Sequence, residues 1–212
     1  MKSIVIGAHL RREDVEPLAD AVPAGALFLS TLPVAEQQAL GDRELLLRVA
    51  DVRARLLDRA TFIAIRYGLT ITSEADAAAK TAAHAARWKT TLEANAGRVE
   101  MTLKVAAASP RPRPNRHDFT SGAAYLKALH DATQASNVDP SFREAIERTL
   151  VPKSVQHRWS HRDEKSIELA LLIARDDVDP VRAAGEALRA TGVAFLLSGP
   201  WPLEVFADAD HE

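Results

Sequence analysis

Two histidines four residues apart, His157 and His161, followed by Asp163 and Glu164, are the residue types of a metal or acid–base centre. On a helix or a strand that spacing can place both rings on one face. A tetrahedral site needs further ligands, however, and no companion motif completes one, so a polar hairpin turn accounts for the cluster more simply. Arg66, Glu100 and Lys104 form a second set, able in principle to relay a proton across one sheet. Solvated cross-strand pairs explain these three residues with fewer assumptions. Nucleotide and acyl-transfer chemistry lack their signatures: there is no Gly-x-Ser-x-Gly elbow and no Walker loop, and Gly7 stands alone where a dinucleotide fingerprint needs three glycines. The chain has no cysteine, which removes disulfides, thiolate zinc sites and cysteine nucleophiles. The expectation is a protein without catalytic residues, metal or cofactor.

The most specific apolar feature is Ser198-Gly199-Pro200-Trp201-Pro202, directly after the apolar run Val193-Ala194-Phe195-Leu196-Leu197. The run reads as a buried strand, and the prolines, each lacking an N–H and restricting the residue before it, are expected to end the ladder there. Trp201 is then held on a stiff backbone. Burying such a ring removes on the order of 200 Å² from water, at most about 5 kcal/mol. That suits a clamp within the chain or an anchor for a partner. Arg66-Tyr67-Gly68 reads either as a binding corner or as a strand end whose glycine supplies a turn.

Periodicity gives the elements that position these residues. Ile4 to Ala8 reads as a strand, and Val15, Leu18, Ala19 and Val22 recur at helical spacing. Leu27–Leu29 is a short strand; Asp42 caps a helix with the stripe Leu45, Val49, Val52 and Leu56, ending near Arg59. Thr61–Ile65 is a strand. Ser73 and Asp76 make a capping box for one long, alanine-rich helix reaching Asn95, with Gly97 as its C-cap. Val99, Met101, Leu103 and Val105 alternate with Arg98, Glu100, Thr102 and Lys104, the pattern of a strand with one dry and one wet face, Glu100 and Lys104 on the wet side. Ser109-Pro110-Arg111-Pro112-Arg113-Pro114-Asn115 cannot pack or form a ladder and reads as a linker. Beyond it come helices starting at Ser121 and at Asp139-Pro140, strands over 154–160 and 166–174, a helix from Asp179-Pro180 to Gly192, and the strand before Trp201.

The fold class expected from this order is α+β in two domains, 1–107 and 119–212, joined by a proline- and arginine-rich linker over 108–118. With 212 residues, 47% of them hydrophobic, the chain can build real cores. Its 27 basic and 29 acidic residues leave a net charge of -2, so no general field draws nucleic acid or an anionic membrane to it. Neither a signal peptide nor a membrane-spanning segment is read in the sequence, and the expected location is cytoplasmic.

Taken in order, several segments resemble the GvpF/GvpL family of gas vesicle proteins. The stretches are Ile63-Ala64-Ile65-Arg66-Tyr67-Gly68, Gly97 through Val105, Ser121-Gly122-Ala123-Ala124-Tyr125-Leu126 and Ser198 through Pro202, and they cover about the last three quarters of the chain. Ala64 stands where the family usually has proline, Tyr67 replaces phenylalanine, and Leu203-Glu204-Val205-Phe206 replaces a Pro-Tyr-Ser-Phe ending. The resemblance implies two modified ferredoxin-like modules, each a sheet with helices on one face. It also implies a non-catalytic accessory or minor structural role in gas vesicle assembly, associated with the shell and contacting the small shell protein and other accessory proteins. The candidate interaction or domain-clamp residues are Arg66, Tyr67, Gly68, Glu100, Lys104, Tyr125, Gly199, Pro200, Trp201 and Pro202. The rival readings are a ferredoxin-like module binding a small ligand or RNA and, resting on His157 and His161, an enzyme.

Overall fold

A computed structural model describes residues 2–106, 114–134, 140–163 and 166–207. The chain forms two compact units, one of residues 1–100 together with 200–212, the other of residues 101–199.

In the first unit the strands are β1 (Lys2–His9), β2 (Asp20–Ala24), β3 (Leu27–Val34), β4 (Ile63–Ala64) and β5 (Thr70–Ile71), and the sheet order is β2-β3-β1-β4, with β5 also on β1. All four pairings in this sheet are antiparallel. Six successive residues of β1, Ile4 to His9, are buried, as a central strand covered on both faces demands. Helix α1 (Arg43–Arg59) starts where its sequence says it must: the Asp42 carboxylate accepts from the Leu45 amide, and Leu45, Val49, Val52 and Leu56 are buried. Two alanine-rich helices, α2 (Glu74–Thr81) and α3 (Ala85–Ala94), complete the unit's helical part.

Three local expectations change here. The helical spacing at Val15–Val22 gives instead a short turn at Arg12–Asp14 and the edge strand β2. Pro23 lacks an N–H, which a helix interior cannot spare but an edge strand can, and Gly25, at φ 67°, makes the tight turn that pairs Ala24 with Leu27. The single long helix is two, because the chain turns at 82–84, where the Thr81 hydroxyl bonds back to the Ala77 carbonyl. The strand at Thr61–Ile65 shrinks to β4.

The second sheet has the order β7-β8-β6-β9, from β6 (Arg98–Ala106), β7 (Gln156–Asp163), β8 (Ser166–Ala174) and β9 (Phe195–Trp201). With it go α4 (Gly122–Gln134), α5 (Pro140–Leu150) and α6 (Val178–Ala190). Leu197 of β9 packs so closely on Gly185 of α6 that a Cβ there would lie 2.7 Å from it. β9 does not stop at Gly199 but runs through Pro200 to Trp201. Its place at the edge of the sheet explains this, since a proline on an edge strand sacrifices no interior ladder bond. Most of the proline- and arginine-rich stretch, 107–113, lies outside the described residues, as do Asp139 and Glu164.

Candidate functional site

The candidate residues divide between the two units. Lys104, Tyr125 and Gly199 lie in the second. Lys104 is a half-exposed partner of Glu168 across 3.9 Å, Tyr125 of α4 has the Arg116 guanidinium 5.9 Å above its ring, and the Gly199 carbonyl accepts from Arg182 at 2.8 Å. His157 lies on β7 opposite Leu171, while the side chain of His161 and Glu164 are outside the described residues. Among the described residues no group of three or more His, Cys, Asp or Glu side chains could hold a metal ion.

Arg66, Tyr67, Gly68, Glu100, Pro200, Trp201 and Pro202 lie in the first unit, and there the C-terminal segment is fastened at several points. Leu203 is wholly buried and forms a parallel bridge with Ile63: its N–H donates to the Phe62 carbonyl at 2.9 Å, and its carbonyl accepts from Ala64 at 3.0 Å. Glu100 supplies the second hold. It is 2% exposed, not on a wet face as the alternation implied, and its carboxylate accepts the backbone N–H groups of Glu204, Val205 and Phe206 at 2.8, 3.1 and 2.9 Å. Burial raises the Glu100 pKa above the usual glutamate value, the three N–H bonds opposing this and the charge of Glu204 adding to it. Arg66, exposed at the corner, takes no part in that clamp.

Held this way, Pro200-Trp201-Pro202 forms a wall of an apolar groove of about 430 Å³. The opposite wall is α1, which carries two apolar stripes. One is the core stripe; the other, Leu46, Ala50, Ala54 and Leu57, lines the groove, with Leu46 and Trp201 still 42% and 47% exposed. Tyr67 completes the lining, its hydroxyl donating to the Leu40 carbonyl. Gly68, at φ 104°, turns the chain after it.

One charged side chain, Arg53, interrupts this apolar lining. Its Nη2 donates to the carbonyls of Ile65 and Ile6 at 3.0 and 3.4 Å, and its Nε is buried without an acceptor among the described residues. Burial lowers its pKa from the ordinary arginine value, the charge of Glu204 opposing. Sequence reasoning missed Arg53 because it looked only for the core stripe of α1. The signal was the second stripe at spacings of four, four and three beside it.

His9 was missed as well. It is fully buried, stacked on Phe62 with ring centroids 5.0 Å apart, and its Nε2 lies 3.0 Å from Ser30 Oγ. Burial lowers its pKa to about 4, only partly offset by the charge of Asp14. The Ser30 hydroxyl donates to the Gly7 carbonyl and is itself wholly buried, so this His–Ser pair braces β1 against β3 and offers no nucleophile to a substrate. Gly7 lets Phe62 approach, because a Cβ on it would collide with the ring.

The sequence model of the family described as "Gas vesicle synthesis protein GvpL/GvpF" matches residues 18–207. Two crystal structures of gas vesicle protein GvpF share the fold. The one from Anabaena sp. has a TM-score of 0.66 at 13% identity, covering 99% of each chain. The one from Microcystis aeruginosa has a TM-score of 0.70 at 12% identity, covering 98% of this chain and 99% of that one. No curated protein sequence matches significantly.

Proposed function

Because the chain belongs to the GvpL/GvpF family of gas vesicle synthesis proteins, we propose that it is a non-catalytic accessory or minor structural protein of gas vesicle assembly. In this reading its two modules are modified ferredoxin-like units that bind the small shell subunit and other accessory proteins, and it resides in the cytoplasm at the vesicle shell. The observation that carries the proposal is the groove of the first unit: a lining of aliphatic side chains and a half-exposed tryptophan, fixed by a buried carboxylate, is built to hold a surface against another molecule. Its apolar character fits a polypeptide ligand better than a nucleic acid, which needs cationic and stacking surfaces.

The test is to produce the full chain together with the shell protein of its own organism and measure co-purification, and separately to delete its gene. Association with the shell protein and defective vesicles are expected. Intact vesicles and no association overturn the proposal.

A further inference from the structure

We propose that the groove of the first unit is a helix-docking site, which takes one amphipathic α-helix of another gas vesicle polypeptide and sets a carboxylate of that helix against Arg53. This rests on the binding reading above and adds to it the place, the mode and the charge.

Shape is the first argument. The lining on α1 runs from Leu46 to Leu57, three turns and roughly 16 Å, with the Pro-Trp-Pro segment facing it. A trough of that form suits an elongated ligand with apolar side chains spaced along one side.

Backbone hydrogen bonding then separates a helix from a strand. The amides and carbonyls within α1 are consumed by the helix itself, and Pro200 and Pro202 have no N–H to give. A strand laid between these walls would leave most of its own peptide groups unpaired and out of water, which is costly for each group. An α-helix brings its backbone already satisfied, so helix-in-groove recognition fits where strand addition does not. The nearby edge of β4 is closed to an added strand too, because Leu203 occupies it.

Charge gives the last element. Arg53 is the one cation in the lining, and no carboxylate lies within ion-pair distance of it among the described residues, the charge of Glu204 acting on it only from farther off. An aspartate or glutamate on the incoming helix supplies the direct ion-pair partner that Glu204 does not, whereas a lysine at that place is repelled.

The experiment uses the full chain with the photo-crosslinking residue benzoylphenylalanine in place of Leu47, which is 60% exposed beside the groove. It is produced with the gas vesicle proteins of its organism, purified, irradiated and mapped by mass spectrometry. Crosslinks to one partner at positions three and four apart, within a turn of an Asp or Glu, are expected. Ala50→Arg, at an exposed position of the lining, is expected to cut co-purification about tenfold or more without lowering the melting temperature. Crosslinks two residues apart, crosslinks to a second copy of this chain or to a small molecule, or unchanged co-purification by Ala50→Arg overturn the groove proposal while the binding reading stands. Absence of any co-purification by the unaltered chain overturns both.

Discussion

The niche around His9 and the groove beside Arg53 meet the same physical difficulty, a nitrogen-rich side chain withdrawn from water with one nitrogen lacking a hydrogen-bond partner among the described residues. They resolve it differently. His9 gives up its charge: with its pKa lowered to about 4 it is a neutral ring stacked in a sealed core. Arg53 cannot do so at any ordinary pH, and its charge stays on the wall of an open trough. Burial alone therefore does not mark a site. The informative case is the group that burial cannot neutralise and that faces a space another molecule could fill.

Four measurements break or sharpen this contrast. The largest effect is expected from Gly7→Val, which drives a branched side chain into the Phe62 ring and should cost roughly 3 kcal/mol in urea unfolding. An unchanged midpoint would show that the niche is not tightly packed. Acid titration comes next. The folded-state pKa of His9 lies below the unfolded value of 6.5, so the stability it contributes is complete above pH 6.5 and is lost as pH falls through about 4, up to about 3 kcal/mol in all. His9→Phe should flatten that slope. Glu100 works in the opposite sense: its raised pKa means that stability present below its unfolded value is lost as pH rises through the folded one, so the variant must be compared with the unaltered chain at each pH.

Glu100→Gln should cost about 2 kcal/mol, since an amide cannot accept all the N–H groups of 204–206 equally well, and it should loosen the groove wall. Increased proteolysis confined to the C-terminal segment is the readout that separates this from general destabilisation. The smallest effect belongs to Arg53→Met, within about 1 kcal/mol, because relief of a partly buried charge that has no direct ion pair offsets the two lost carbonyl contacts. A loss of several kcal/mol would mean that Arg53 serves the fold and not a ligand.

Elements governed by neighbours in sequence were legible. Asp42 and Ser73 cap helices as their types demand, Gly97 takes its positive φ, and the alternation at 98–105 gives a strand. Elements settled by distant partners were not. Nothing in Val15–Val22 announces that β3 will recruit it as an edge, and nothing near Glu100 says that three amides a hundred residues later will draw its carboxylate indoors. The candidate groove was half legible for the same reason: Tyr67 and Pro200-Trp201-Pro202, singled out by type, do line it, whereas Arg53 stands out only once the second stripe of α1 meets that segment.

Glu100 and the first amide it receives are 104 residues apart. At the usual pace of translation, about 5–20 residues per second, the carboxylate leaves the ribosome some 5–20 s before its partner does. For that interval the nascent first unit lacks the segment that lines one side of α1 and supplies the three amides of Glu100, and its completion waits for the last part of the chain to be made.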